Sequence, residues 1–388
     1  MEMVALDRRN TDCLKWDSPA GQTALPLWVA DMEFETLPQI RQAIIERAQH
    51  GIYGYGIEPK AYRETVCGWM KRRFDWTICP EWIVLSPGNV AALKMVIQCF
   101  TNPGEAILLQ RPVYYMFDQS AFVNGRRVVS CDLVKTGDGY RIDFAAFEKT
   151  IQEEHIRVFL LCNPHNPVAR VYTQEELAEI GAICGKHDVL VVSDEVHSDF
   201  VFKGHKHIPF TKAAPECEQR TIVLTGPNKT FNLAGLKCSN VIIPNDSLRA
   251  AFSAQLDVNG VASQNIFAPL ACMTAYQYGD DYADSLAATI ENNFRFLDAY
   301  LKDTFPQMKL FPAEGTYLAW IDVSAMGIPD GKLHAFLMED ANVCLDEGYM
   351  FGDAGAGFVR INLACPRTQI QEAVDRIKAA WRQSSRLC

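Results

Sequence analysis

Nothing in this 388-residue chain approaches membrane-spanning length, and no charged segment followed by an apolar run stands at its start. A cytosolic protein without a membrane partner is the expectation. Positive charge is in short supply: 37 Lys and Arg face 47 Asp and Glu, a net charge of −10. That balance argues against nucleic acid or an anionic bilayer as partner. Cys-x-x-Cys is missing, and of thirteen cysteines the nearest two, Cys67 and Cys79, stand twelve positions apart. Such spacing offers no zinc site and reads as scattered, mostly buried thiols of a reducing compartment. His205-x-His207 comes closest to a metal-ligand pair, and its neighbours Lys203, Gly204 and Lys206 make it a surface loop. Repeats, low-complexity segments and flexible linkers are also lacking. Neither a Walker loop nor a dinucleotide fingerprint is present: Asn228-Lys229-Thr230 lacks the preceding glycine, and 352–357 does not read as GxGxxG.

What the chain does have is an ordinary globular composition, 48% hydrophobic and 22% charged. Its length suits a larger and a smaller domain sharing an interface. The stretch 221–245 organises the rest. A β-rich run, Thr221–Thr225, stops at Gly226-Pro227-Asn228 and presents Lys229; a second β-rich run, 239–243, leads away. A lysine at a strand end is usually a solvated side chain. Bounded by turn residues and apolar strands, this one belongs at the mouth of a buried sheet. There an amine loses hydration, falls in pKa and becomes a nucleophile.

Other candidates also follow apolar runs. Gly88 opens a turn before a helix with Val90, Leu93, Ile97 and Phe100 inward. Free N–H groups and the positive helix end converge there, an anion site that any capped helix offers. After the strand 106–110 come Tyr114 and Tyr115. The strand 156–161 leads into Asn163-Pro164-His165-Asn166-Pro167, a rigid loop pushed toward extended geometry, and Thr173 with Glu176 then forms a capping box. The run 189–193 ends in Asp194 and Glu195, a carboxylate at the carboxyl edge of a parallel sheet, where ligands bind. A surface carboxylate is the default, but the regular strand–loop–helix alternation favours the cleft. Thr36 is expected to cap a helix carrying Leu37, Ile40, Ile44 and Ala48. Helical periodicity from about residue 281, then short strands near 317–323, mark the smaller domain. Arg360 lies between Val359 and Ile361 on an apolar strand, and a buried arginine requires an anion.

GPNKTFNLAGLK, NPHNP, SDEVH and FVRIN together make the chain similar to the class I/II aminotransferase superfamily of pyridoxal-phosphate (PLP) enzymes. PLWVADMEF, KTFNLAGLK and VRINLACPR resemble its PatB/MalY-type C–S lyase branch. The likeness covers nearly the whole chain and implies an α/β fold of PLP fold type I. A large domain, 45–280, would hold a mostly parallel seven-stranded sheet flanked by helices, and 1–44 with 281–388 would form a smaller α+β domain. By resemblance, the catalytic set is Lys229, which carries PLP, Asp194 at the ring nitrogen and Tyr114 stacked on the ring. Asn166 and His197 would lie at the phenolic oxygen, and Gly88, Asn89 and Val90 would cradle the phosphate. Lys237 falls where relatives place a basic phosphate ligand. The serines usual three positions and one position before the lysine are here Gly226 and Asn228, so Thr225, Asn228 or backbone N–H groups would substitute. Arg360 would grip the substrate α-carboxylate, with Glu33, Asn166 and Tyr55 also on the substrate side. Glu33 stands where the family has aspartate, and Ala169 where it has glycine. The tyrosine matched by Tyr55 reaches the cofactor phosphate of the other subunit in relatives, which implies a homodimer.

The activity implied is a PLP-dependent C–S β-lyase that cleaves L-cystathionine or related cysteine conjugates to a thiol, pyruvate and ammonia. Freed Lys229 would act as general base at the α-carbon, and Arg360 would orient the substrate. An aminotransferase shares the first steps, and none of these residues separates the two outcomes. A third reading keeps the fold as a regulatory or binding module, since some members of this branch act on transcriptional regulators. An intact lysine, aspartate and arginine argue against pure loss of catalysis.

Overall fold

The computed structural model describes residues 2–137 and 139–384. Seven strands form the central sheet: β1 (Ile83–Ser86), β2 (Ala106–Leu109), β3 (Arg127–Ser130), β4 (Val158–Cys162), β5 (Leu190–Asp194), β6 (Thr221–Thr225) and β7 (Ser239–Ile242). Their order is β1-β7-β6-β5-β4-β2-β3, and only β7 runs antiparallel to its neighbours. β2, β4 and β6 are buried along their whole length. This continuous apolar text is what a parallel sheet covered on both faces demands. Helix α1 (Asn89–Phe100) lays Leu93, Val96 and Ile97 against Ile107, Leu224 and Val241 on one face. Helix α2 (Gln174–Lys186) packs Leu177, Ile180 and Cys184 against Leu108, Phe159 and Leu161 on the other. Thr173 caps α2, and the reciprocal bond from Glu176 completes the capping box.

The C-terminal third builds a second, antiparallel sheet of β8 (Lys309–Leu310), β9 (Leu318–Asp322), β10 (Asp346–Glu347) and β11 (Phe358–Asn362), in the order β8-β9-β11-β10. Helices α3 (Asp280–Thr304) and α4 (Arg367–Ser384) pack Leu286, Ile290, Leu297, Ile370, Val374 and Ile377 into the core shared with β9 and β11. The N-terminal segment joins this half of the molecule, since Leu25 and Pro26 pair in parallel with Val343 and Cys344.

Two local expectations are corrected. The helix assigned to Thr36 as cap runs Pro38–Gln49, with Leu37 at the N-cap position and no side-chain cap bond. Pro38 suits the first helical position, where no N–H is needed, and it pushes Leu37 into extended geometry. His207 is not on the surface. It is buried, its Nε2 lies 3.0 Å from the Glu195 carboxylate, and that carboxylate also accepts from Ser193 Oγ and Phe210 N. Glu195 therefore anchors the loop after β5, while Asp194 beside it faces the cleft. The twelve cysteines among the described residues carry free thiols, eight of them buried; Cys388 lies outside those residues. Among the described residues no helix is long and apolar enough to cross a membrane. No three His, Cys, Asp or Glu side chains are grouped there to hold a metal ion.

Candidate active site

Segments from across the chain deliver polar side chains to the carboxyl edge of the central sheet. β6 ends at Thr225, and the turn after it carries Lys229, whose amine donates to Ala30 O at 2.7 Å. Burial and the Arg360 charge lower this amine to about 8, against the opposing pull of Asp31 and Asp194. β5 ends at Asp194, in register with Cys162 of β4 and Leu224 of β6. Burial pushes the Asp194 carboxyl up to about 6, while the Asn89 amide, the Val196 N–H and Lys229 favour its ionised form. Asn89 Nδ2 donates to Asp194 Oδ1 at 3.1 Å, and Ser239 Oγ in turn donates to Asn89 Oδ1 at 2.6 Å. Asn89 thus does more than the backbone role expected of it: its side chain links the start of α1 to the carboxylate. Val196 N also donates to Oδ1, so both bonds fall on one oxygen.

Gly88 precedes α1 with φ +100°, a conformation that favours glycine, and the side chain of Lys237 passes nearby. Asn89 and Val90 are the first residues of that helix, where N–H groups lack intrahelical partners, whereas the Gly88 N–H donates to Ser86 O at 2.8 Å. Asn228 donates from Nδ2 to Cys238 O at 2.5 Å, and its buried Oδ1 has no partner. Thr225 is buried beside it at the end of β6. The departure at Gly226 has a steric cause: a β-carbon there would meet the Cys238 carbonyl oxygen at 2.9 Å. Serine does not fit where this backbone passes so close.

On the opposite wall Asn166 accepts from Arg360 Nη1 at 2.9 Å through Oδ1, and its carbonyl accepts from Tyr114 N. The Tyr114 ring lies 4.9 Å from that of Tyr115, and burial raises the Tyr114 hydroxyl above the ordinary phenol range. His197 is buried against Tyr317, with ring centroids 5.2 Å apart, and burial followed by the charges of Lys229 and Arg360 holds it well below the usual imidazole value. It is therefore neutral, and its Nδ1 has no partner.

Two assigned residues are not brought together with this cluster. Glu33 turns away into a buried ionic knot, 2.6 Å from Lys15 Nζ, 3.8 Å from Arg8 and accepting from Trp16 Nε1 at 3.0 Å. Its segment lines the site through backbone atoms instead. Tyr55 is fully exposed within the single chain, on an irregular stretch beside Ile52, Tyr53 and Ile57. Sequence reasoning also missed several members. Tyr317 donates to Ala30 O at 2.8 Å, Ser239 supports Asn89, and the carboxylate of Asp346 bonds Arg360. Ser239, at the start of a strand that was recognised, carried a usable signal; the other two depend on pairings between distant segments.

The cluster fits a phosphorylated aromatic aldehyde. It offers a partly buried amine of low basicity, a carboxylate with Oδ2 unbonded, a glycine turn at a helix N-terminus, and buried unpartnered atoms on His197 and Asn228. Fold and site together define an α/β protein that sets a lysine of low basicity at the carboxyl edge of its sheet.

The chain belongs to the family "Aminotransferase class I and II", whose model matches residues 23–377. It is 40% identical to cystathionine beta-lyase PatB of Bacillus subtilis (strain 168), over 96% of this chain and 98% of that one. Protein MalY of Escherichia coli (strain K12) is 32% identical, over 95% of each. Among solved structures, cystalysin from Treponema denticola, which contains a pyridoxal 5'-phosphate cofactor, matches with a TM-score of 0.94 at 34% identity, covering 98% of both chains.

Proposed function

We propose that this protein is a PLP-dependent carbon–sulfur β-lyase acting on L-cystathionine or a related L-cysteine conjugate. The observation that carries the reading is the low-basicity amine of Lys229 set beside Asp194 and Arg360, in a chain similar over nearly its full length to proteins named cystathionine beta-lyase. Bound at this site, PLP supplies an aldehyde for the substrate amine and a ring that takes up the electron pair released at the α-carbon. Asp194, ionised, keeps a proton on the ring nitrogen, and Asn89 holds that carboxylate in place. Tyr114 would cover the ring, and Asn166 and His197 would be the residues available to its phenolic oxygen. The phosphate would be held at the turn opened by Gly88, by the N–H groups of Asn89 and Val90, since that of Gly88 donates to Ser86 O at 2.8 Å, with Thr225, Asn228 and Lys237 available around it.

Arg360 receives the substrate α-carboxylate in a forked contact and so fixes the direction of the α-C–H bond. Lys229, released when substrate takes its place, removes the α-proton, and its pKa of about 8 suits a base working near neutrality. The carbon–sulfur bond at the β-carbon then breaks. Thiol leaves with a proton, and hydrolysis of the remaining three-carbon fragment gives pyruvate and ammonia. A homodimer in which Tyr55 enters the partner's site belongs to the same reading, as does a boundary near residues 45 and 281. The two separate sheets, β1–β7 and β8–β11, support that division.

The test is to incubate PLP-loaded protein with L-cystathionine, without added keto acid, and to assay pyruvate, ammonia and free thiol together. Equimolar release of all three, abolished by Lys229→Ala, is the expected result. Turnover only after a keto acid is supplied would make the protein an aminotransferase instead.

A further inference from the structure

Arg360 does not stand open in the cleft. Nη2 donates to Trp28 O at 3.0 Å and to Asp346 Oδ2, Nη1 donates to Asn166 Oδ1, and Nε has no partner. Asp346 reaches the guanidinium from directly opposite: the two are register partners in the β10–β11 pair, and each is 1% exposed. The next residue, Glu347, is paired with Val359 in that register and holds His334 Nδ1 at 2.6 Å, so it takes no part. Both hydrogens of Nη2 are therefore engaged, one of them by a carboxylate. A second carboxylate can use that nitrogen only by displacing what is there. Two carboxylates crowded on one buried guanidinium repel each other strongly.

We propose that Asp346 is a specificity-determining residue, a resident stand-in for the substrate α-carboxylate that holds Arg360 until an amino acid enters and then yields Nη2. The inference rests on the reading that Arg360 receives that carboxylate. Burial pushes the Asp346 carboxyl up against the pull of Arg360, which weakens its hold and makes the exchange feasible. A bare amine gains nothing by the exchange; an amino acid gains the difference between its own carboxylate and that of Asp346. Asp346 thus sets how much a carboxylate is worth to a ligand.

The experiment uses PLP-loaded enzyme titrated with L-alanine and with ethylamine, its counterpart lacking the carboxylate, each followed by the absorbance change of the cofactor. The ratio of the two dissociation constants measures what the carboxylate contributes. Asp346→Asn is expected to raise that ratio roughly tenfold, because the competing negative charge is gone. A ratio unchanged or lowered in Asp346→Asn overturns the proposal and leaves Asp346 as an orienting group only. Arg360→Lys should collapse the ratio; if it keeps the wild-type value, the reading of Arg360 has failed rather than the inference about Asp346. Should Asp346→Asn not accumulate folded, Asp346→Ser admits water to the same place and is judged by the same ratio. Melting of the wild type in acetate adds a further arm: a larger upward shift in the variant supports the exchange, and an equal one counts against it.

Discussion

At the amine of Lys229 two sets of neighbours pull in opposite directions. Burial and Arg360 disfavour the ammonium, whereas Asp31 and Asp194 favour it, and the balance comes to about 8. In cofactor-free protein the rate of PLP uptake should therefore climb with pH and level off above a half-point near 8. Arg360→Leu removes a lowering influence, so the half-point should move upward; stopped-flow absorbance at the cofactor band checks both. The same shift acts on stability. Between about 8 and the ordinary lysine value of 10.5 the unfolded chain holds more protons at this group, so the contribution of Lys229 to stability grows as pH rises through that window. Asp194 works the other way. Its carboxyl, raised from 3.8 to about 6, binds its proton more tightly when folded, and its contribution falls as pH rises between those values. These two residues were legible in the sequence because each follows an apolar run that must end at the sheet's edge. Asp346 was not: Leu345-Asp346-Glu347-Gly348 reads as a polar turn, and nothing local shows that a strand fourteen positions on will set Arg360 opposite it.

Ala169 belongs to the scale of elements, because its backbone joins the loop after β4 to the segment before β9. It holds φ +58°, is buried, and its carbonyl accepts from Glu314 N and Gly315 N at 2.8 and 3.0 Å. A β-carbon in left-handed geometry costs about 1–2 kcal/mol. Ala169→Gly should accordingly stabilise the protein by about 1 kcal/mol, less whatever the lost methyl contributes to packing, and chemical denaturation would measure it. Elements with strong local signals were read closely. Thr221–Thr225 has the bounds its apolar text suggests, since Gly226-Pro227 stops it, and the capping box needs only Thr173 and Glu176, three positions apart. The Thr36 cap failed because a proline two positions later set the start of the helix, and His207 was misplaced because its partner, Glu195, stands twelve positions back, just after the end of β5.

For the whole molecule, the stretch around Tyr55 carries the strongest expectation. Ile52, Tyr53, Tyr55 and Ile57 are all exposed within one chain, with Tyr55 at 104% and Ile57 at 90%, a concentration of apolar surface that suits burial by a second copy. Tyr55→Phe keeps the ring that would pack in such a contact and removes the hydroxyl proposed to reach the partner's phosphate. Sedimentation should show an unchanged dimer, while dialysis should strip PLP from the variant, with affinity weakened roughly tenfold or more, as the loss of a bond to a charged group entails. A variant that stays yellow and fully active through dialysis would remove Tyr55 from the site. The mostly parallel sheet was legible at this scale from the alternation of apolar runs and helical periodicity. The partnership of the N-terminal segment with the C-terminal half was legible only through resemblance, because it joins Leu25 to Val343 across most of the chain.

That N-terminal segment is gripped at positions 28–30 almost wholly by its backbone. Trp28 O accepts from Arg360, Val29 O from Asn362 Nδ2, and Ala30 O from both Lys229 and Tyr317. A carbonyl is present whatever side chain the codon specifies. Alanine scanning will therefore under-report position 29 and makes no change at position 30, already alanine, and natural sequences are free to drift there without loosening the grip, whereas drift at Asn362 or Tyr317 breaks it. The inheritance that matters for this wall of the site is written in the residues that do the holding.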